Sequence, residues 1–144
     1  GSFEDVDADG QPKEWSKISA KSRIVRRGGS NALEMNGCSF FQLITRGELN
    51  QKPYPRRMSV TYRAKGPGRL SVYVLRYSDA HNPKTGGYKR SFLPTAGLAR
   101  VDLTEEERLY THEYEIAAEE WVGIGFHDEK GPVLLDDVAV KLVR

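Results

Sequence analysis

Apolar and polar residues alternate in short segments along most of the chain, and turn residues separate these segments from one another. Alternation with a period of two is typical of β-strands that bury one face. The pattern predicts nine strands: Ser22 to Val25, Ala32 to Met35, Ser39 to Ile44, Met58 to Ala64, Leu70 to Tyr77, Gly97 to Leu103, Tyr110 to Ile116, Trp121 to Phe126 and Val133 to Val143. Turn signals rich in glycine, proline and asparagine lie between several of them, at 28–30, 65–68, 82–87 and 129–132.

A helical pattern is confined to Leu103 to Leu109, where Thr104 could cap one turn at most. The chain of 144 residues has the size of a single domain with one hydrophobic core. About nine short strands in one such domain predict an all-β fold, either a two-sheet antiparallel β-sandwich or a barrel.

The alternation also assigns faces to the strands. Predicted to point into the core are Met58, Val60, Tyr62, Ala64, Leu70, Val72, Val74, Val122, Ile124 and Phe126. The opposite face then carries Ser59, Thr61, Arg63, Tyr73, Leu75, Tyr77, Trp121 and His127. An outer face that combines aromatic and polar side chains is a candidate binding surface.

Composition excludes several classes of protein. Hydrophobic residues make up 38% and charged residues 29%, and no apolar run approaches the length of a membrane span. The net charge of +2 argues against binding to nucleic acid. Gly1-Ser2 is interpreted as a remnant of expression, and residues 3–144 as one module excised from a larger protein, expected to be a monomer. With a single cysteine, Cys38, no internal disulfide can form.

Three segments resemble a known family. They are Phe3-Glu4-Asp5 with the acidic turn Asp7 to Pro12 and Trp15, then Gly29 to Leu33, and finally Leu135 to Val138. In this order the chain resembles the calcium-containing jelly-roll carbohydrate-binding modules, a galactose-binding-like family. The resemblance implies a jelly-roll fold and a non-catalytic module that targets a larger, secreted bacterial enzyme to its polysaccharide. The catalytic domain of the same parent chain would then be a partner.

The resemblance also implies a structural calcium ion. In such modules the first and last strands lie side by side, so Glu4 and Asp136 would converge on the ion. Backbone carbonyl oxygens from the loop between Arg27 and Asn31 would also coordinate the ion. Asp137 and a pair of solvated acids remain alternatives. Asp5 to Gly10 also matches the first half of an EF-hand loop, but this motif lacks its closing glutamate and its helices.

No catalytic motif stands out. The histidines His81, His112 and His127 are far apart and lack partners at zinc spacing. Glu113, with the acids at 105–107, is conceivable as an acid pair for glycoside hydrolysis. A small jelly-roll lyase or hydrolase is therefore the enzymatic alternative, but the expectation is that the protein is not an enzyme.

Sugar rings present C–H faces to aromatic side chains and hydroxyls to polar ones. The candidate carbohydrate-binding residues are Arg63, Tyr73, Tyr77, Trp121, Glu113 and Tyr88. We expect the strands at 58–64 and 70–77 to pair through the turn Lys65 to Gly68, which would make Arg63 a neighbour of the tyrosines. The alternative site is the loop edge at 77–88, where Asp79, His81, Asn82 and Lys84 lie, with Tyr54 as a possible wall.

The class of ligand is only weakly indicated. Basic residues cluster locally at Arg56-Arg57, Arg63, Arg76 and Lys89-Arg90. Because arginine pairs well with carboxylate and sulfate, an anionic polysaccharide is slightly favoured over a neutral one. A structural spacer or a protein-interaction sandwich without a sugar site is the alternative from another functional class.

Overall fold

The computed structural model describes Ala8, residues 22–43, Pro53 and residues 55–81, 88–117 and 120–144. Its strands are β1 (Ser22–Arg27), β2 (Ser30–Met35), β3 (Ser39–Leu43), β4 (Arg57–Lys65), β5 (Arg69–His81), β6 (Tyr88–Asp102), β7 (Arg108–Glu115), β8 (Glu120–Lys130) and β9 (Val133–Val143). Each of the nine predicted segments overlaps one of these strands. The prediction of an all-β fold is confirmed.

The strands form two antiparallel sheets. The five-stranded sheet has the order β1-β2-β9-β4-β7, and the four-stranded sheet has the order β3-β8-β5-β6. The apolar faces of the two sheets pack on one core, so the prediction of a two-sheet jelly-roll sandwich is confirmed. The described residues include no helix that could cross a membrane. Thr104 donates its hydroxyl hydrogen bond to the carbonyl of Glu106 in a bend, so the predicted helical turn does not form.

The core consists of the side chains that alternation assigns to it. Among the largest fully buried ones are Tyr62, Phe40, Phe126, Leu33, Met35, Met58, Leu70 and Ile124. All ten core positions predicted on β4, β5 and β8 are buried. The neighbouring positions on each strand therefore face outward, and the outer face of the four-stranded sheet is free to carry polar and aromatic groups.

One predicted pairing is wrong. Instead of pairing with each other, β4 pairs with β7 and β9, whereas β5 pairs with β6 and β8. The connection at 66–68 therefore passes from one sheet to the other. Its backbone bonds to the segment after β6: the amide of Gly66 donates to the carbonyl of Thr104, and the amide of Leu103 donates to that of Gly68. A glycine-rich turn suits a sheet crossing as well as a hairpin, which explains the error.

A predicted loop is also shorter than expected. The segment at 77–88 was expected to be irregular, but β5 continues to His81 and β6 begins at Tyr88, which pair with each other. Residues 82–87 lie outside the described part of the chain. The continuation of the strand was not predicted, because residues such as Ser78 and Asp79 do not give the alternation of apolar and polar positions. Two neighbouring strands can still pair there through their backbones.

Candidate functional site

Among the residues that the structure describes, the outer face of the four-stranded sheet carries five aromatic side chains, which we call the aromatic patch. Its members are Phe41 on β3, Tyr73 and Tyr77 on β5, Phe92 on β6 and Trp121 on β8. One row across the sheet has Tyr77 paired with Trp121 on one side and with Phe92 on the other. A second row has Tyr73 between Gly97 and Gly125, with Phe41 next to Gly125. Four strands therefore contribute to one surface.

The first row is built around Tyr77. Its ring and that of Phe92 form a T-shaped pair with a centroid distance of 5.2 Å and an interplanar angle of 75°. Phe92 is 59% exposed, and it lies against another aromatic ring of the face rather than singly. Trp121 is half-buried and also packs against the core, so part of its ring serves the fold. This row can present ring faces to an apolar partner, because packing of Trp121 against the core and of Tyr77 against Phe92 holds the rings in place.

The second row depends on a close approach between Tyr73 and Gly125. A Cβ atom at Gly125 would lie 2.2 Å from Cζ of Tyr73 and 2.6 Å from its hydroxyl oxygen. The tyrosine ring thus lies across the backbone of β8, a position that only glycine allows. At Gly97 the space is open, because nothing lies within 4 Å of a Cβ placed there. The ring of Tyr73 therefore has one side supported by the sheet and room beside it.

Polar groups fix the tip of this ring. Tyr73 and Ser39 are hydrogen-bonded, and Ser39 Oγ lies 2.8 Å from Nδ1 of His127. Partial burial raises the pKa of Tyr73, and the bond to Ser39 opposes that rise. The phenol is therefore neutral near neutral pH. A neutral hydroxyl can both donate and accept hydrogen bonds, as recognition of sugar hydroxyls requires.

Beyond Tyr73 the same face becomes charged. Ser71 is paired with Arg100 across β5 and β6, and Arg69 is paired with Asp102. Arg100 binds Glu129 on β8 through three contacts of 2.9–3.2 Å. The face therefore has an aromatic half and a charged half. This combination of ring faces with donors and acceptors suits a ligand that is amphipathic along its length, as an oligosaccharide is.

The structure separates the predicted carbohydrate-binding residues into two groups. Tyr73, Tyr77 and Trp121 share the aromatic patch, as predicted. Arg63 and Glu113 belong to the five-stranded sheet and lie on its outer face, on the opposite side of the sandwich. The placement of Arg63 beside the tyrosines was wrong, because it rested on the pairing of β4 with β5.

Both residues on the far side have ionic partners. Arg63 Nε lies 3.3 Å from Asp137 Oδ2, and Glu113 lies 3.4 Å from Arg57. Tyr88 opens β6 at its pairing with His81. The loop-edge residues Asn82 and Lys84 lie outside the described residues, as does Tyr54, so the loop-edge alternative stays open.

The predicted metal ligands fall near a second, acidic pocket. Asp136 is only 8% exposed and lines this pocket with Arg27, Ser30, Arg63, Glu107 and Asp137. The pocket lies beside the β1–β2 hairpin, whose turn residues Gly28 and Gly29 have φ of 53° and 95°. Asn31 is on β2 opposite Arg26 and does not line the pocket. Glu4 lies outside the described residues.

A bulge in β9 changes the expected phase of Asp136. Between Thr61 and Arg63 the register with β9 shifts by one residue, and Asp137 has a φ of 49°. Asp136 is therefore paired with outward-facing Arg63, while Leu135 and Val138 remain buried in the core. Burial raises the pKa of Asp136, as do the nearby charges of Asp137 and Glu107.

The described residues alone do not complete a calcium site. No group of three or more His, Cys, Asp or Glu side chains among them is arranged to hold a metal. Glu107 is 2.7 Å from Arg27, and Asp137 pairs with Arg63, so two of the three acids already have cations. Calcium takes six to eight oxygens, and the missing ones would have to come from Glu4 and its neighbours.

Several residues of the face were not predicted. Phe41 and Phe92 were assigned to no site, and Gly125 was not recognised as the seat of Tyr73. A usable signal for Phe41 was the alternation Ser39, Phe40, Phe41, in which two consecutive phenylalanines cannot both face the core. For Phe92 the sequence held no such signal, because two bulges interrupt the period of β6.

Comparison with known proteins identifies structural neighbours. No protein-family model and no curated protein sequence matches the chain. Among solved structures, the chain is similar to a variant of the family 29 carbohydrate-binding module CBM29-2. The TM-score is 0.56 and the identity 13%, over 94% of this chain and 80% of that one. It is also similar to the CBM22-1 xylan-binding domain of Xyn10C from Paenibacillus barcinonensis, with a TM-score of 0.56 and 11% identity, over 99% and 92% of the chains.

A third neighbour was solved with a ligand. It is a CBM29-2 variant complexed with cellulohexaose, at a TM-score of 0.55 and 14% identity, over 94% of this chain and 84% of that one. At these identities the likeness shows the fold and does not assign the function. The structural neighbours are carbohydrate-binding modules with a β-sandwich fold, and the calcium-containing family suggested by the sequence remains a prediction.

Proposed function

We propose that this chain is a non-catalytic carbohydrate-binding module and that it binds its glycan on the outer face of the four-stranded sheet. The observation that carries the proposal is the aromatic patch with the Tyr73 ring seated on Gly125. A ring supported by backbone and tied at its hydroxyl loses little freedom when a sugar stacks on it, so more of the contact energy appears as affinity.

The length of the face fits an extended chain of sugars. Tyr73 and Tyr77 are four residues apart on one strand, or about 13 Å at the usual rise per residue. This distance exceeds the length of one pyranose ring, so the two tyrosines would contact different sugars. A face that contacts more than one sugar at once would bind segments of a polysaccharide chain.

The geometry offers little for catalysis. Ser39 and His127 form the one hydroxyl–imidazole pair on this face within the described residues, and no described carboxylate is hydrogen-bonded to that imidazole. A nucleophile and base without an orienting acid resemble a structural contact more than a triad. We therefore propose binding without chemistry, in a module that delivers a larger secreted enzyme to an anionic polysaccharide.

A glycan array and two variants test this proposal. The protein should bind one class of glycan at micromolar to millimolar strength, and Tyr73→Ala and Tyr77→Ala should each weaken binding about tenfold or more. Glu113→Gln, on the far side of the sandwich, is the matched control and should bind normally. Absence of binding to every glycan would favour the spacer alternative, and loss of binding in the Glu113 variant alone would move the site to the other sheet.

A product assay tests the enzymatic alternative. Incubation of the pure protein with the polysaccharide it binds should release no new reducing ends and no unsaturated uronate. Reproducible product that disappears in His127→Gln would contradict the proposal and favour a small lyase or hydrolase.

A further inference from the structure

The charged half of the four-stranded sheet contains a second feature that the aromatic patch does not explain. Its pocket, of about 570 Å³, is lined by residues at 67–69, 100, 102–103, 127 and 129–130. We call it the basic pocket and define it by Arg69, Arg100 and Lys130. It lies on the same face as Tyr73, because Arg69, Ser71 and Tyr73 are alternate residues of β5 and therefore point to the same side of the sheet.

Carboxylates bind the guanidinium groups of the two arginines but do not occupy all of their N–H donors. Arg100 contacts Glu129 through Nε and Nη2, and Arg69 contacts Asp102 through Nε at 2.8 Å. Within the described residues, Nη1 of Arg100 and both Nη atoms of Arg69 have no further ion pair. The carboxylates thus restrict the guanidinium groups and leave several N–H donors for a ligand.

Charge and exposure favour an anion in this place. Three cationic side chains line the pocket against two acidic ones, Asp102 and Glu129, so one positive charge is in excess. Lys130 is exposed, and no described residue forms an ion pair with it. The side chain of Arg100 is 67% exposed although it is held at three contacts. The pocket therefore presents fixed donors toward solvent, with one more cationic than acidic side chain in its lining.

We propose that the basic pocket binds an oxyanion of the glycan, a carboxylate or a sulfate ester, while the aromatic patch stacks on the neighbouring sugar. The proposal rests on the proposed carbohydrate-binding function and names its ligand class as an acidic polysaccharide. The residues differ from those on which the sequence-based preference for an anionic polysaccharide rested, which included Arg63 and Arg76. Arg63 is on the other sheet and paired to Asp137, and Arg76 donates to the carbonyl of Pro94.

The planar guanidinium groups explain why the pocket would select for the anion. A fork of parallel N–H donors matches the two oxygens of a carboxylate or sulfate, whereas a sugar hydroxyl offers only one oxygen. Hydrogen bonds to charged groups are stronger than those between neutral groups. Removing the acid from the glycan should therefore lower affinity about tenfold or more and leave the stacking contacts in place.

The test uses matched glycan pairs on one array. Oligogalacturonate is compared with its carboxyl-reduced form, and chondroitin sulfate with its desulfated form, alongside neutral cellulose, mannan and xylan oligomers. The two arms distinguish carboxylate from sulfate. Wild-type protein should prefer the acidic member of one pair about tenfold or more, and added salt should reduce that preference.

The variants separate the pocket from a general charge effect. The charge-neutral double variant Arg100→Gln/Glu129→Gln should lose the preference for the acidic member but still bind its neutral counterpart. The charge-neutral variant Arg23→Gln/Glu34→Gln is the matched control, because Arg23 pairs with Glu34 at 3.0 Å on the other sheet, and it should keep the preference. Tyr73→Ala should weaken both acidic and neutral ligands.

The outcomes test the basic pocket and the proposed carbohydrate-binding function separately. Equal binding of acidic and neutral members, or an unchanged preference in the double variant, would overturn the basic pocket and leave the binding function intact. Loss of the preference in Arg23→Gln/Glu34→Gln as well would show that the effect is not specific to the pocket and would also overturn it. Binding to no glycan at all would overturn the proposed function and with it this inference.

Discussion

At the scale of single residues, the site depends on a glycine as much as on its aromatic rings. Gly125 is buried, and a side chain at this position would collide with the ring of Tyr73. The ring would have to leave the sheet and break its contact with Ser39. The fold and the proposed binding surface are therefore coupled at one backbone position.

Gly125→Ala should destabilise the protein by about 1–3 kcal/mol, since overpacking costs that much when neighbours must shift. It should also weaken glycan binding. Gly97→Ala on the same face is the control, because its Cβ meets nothing within 4 Å, and it should change stability by less than about 0.5 kcal/mol. Denaturant unfolding measures both, and equal stabilities would contradict the described seat of Tyr73.

A second residue links stability to pH. His112 lies on the inner side of β7, where Nε2 is 2.9 Å from the hydroxyl of buried Tyr62. Burial lowers the pKa of His112 below its ordinary value of 6.5. The unfolded chain therefore takes up this proton at a higher pH than the folded chain does. The stabilisation is fully present above pH 6.5 and is lost as the pH falls below it, toward the folded pKa.

Urea unfolding between about pH 7.5 and 5 should show this loss of stability. His112→Gln, which retains a hydrogen-bonding partner for Tyr62, should flatten the dependence. His127→Gln on the outer face should retain it. The same slope in the wild type and in His112→Gln would show that another group controls the acid response.

At the scale of elements, β9 connects the core to the acidic pocket. The bulge at Asp137 turns Asp136 to the side of Arg63 while Leu135 and Val138 remain buried. We propose that Asp136 binds a structural calcium ion together with Glu4. A ligand bound by the native state alone raises its stability by mass action.

Chelator should then lower the melting temperature, and added calcium should restore it. Asp136→Ala should melt at a lower temperature and no longer respond to chelator. Asp102→Ala on the four-stranded sheet is the control that should still respond. A melt of the wild type that is identical with and without chelator would contradict the metal site.

The elements also show what alternation can and cannot predict. Apolar residues at every second position placed Val72, Ile124 and Phe126 correctly in the core, since burial on one face is a local property of each strand. Sheet membership is not local. The turn at 65–68 is compatible with a hairpin and with a crossing, so the pairing of β4 with β7 and β9 could not be inferred.

The proposed binding face was predictable to the same extent. Tyr73 and Tyr77 were found because they lie on one strand, and Trp121 was found by its own strand's alternation. Arg100 and Glu129 were missed, since their contact joins β6 to β8 across β5 and depends on the order of the sheet. Register shifts at Val72–Tyr73 and Val74–Arg76 further hid the outward positions of β6.

At the scale of the whole molecule, the two outer faces differ in character. The four-stranded sheet presents aromatic rings continuous with a basic pocket. The five-stranded sheet presents ion pairs such as Arg57 with Glu113 and Arg23 with Glu34. Ion pairs also lie on the four-stranded sheet, so the aromatic patch is what distinguishes the two faces. The sandwich is therefore two-sided, and the proposed ligand face is the one that carries the aromatic patch.

Backbone amide shifts can locate the ligand on this two-sided molecule directly. Labelled protein is titrated with the oligosaccharide that binds best on the array. The amides of Tyr73, Gly97 and Gly125 and the indole of Trp121 should shift, and those around Arg63 and Glu113 should not. Shifts confined to the five-stranded sheet or to residues 82–87, or no shifts at saturating ligand, would contradict binding on the four-stranded face.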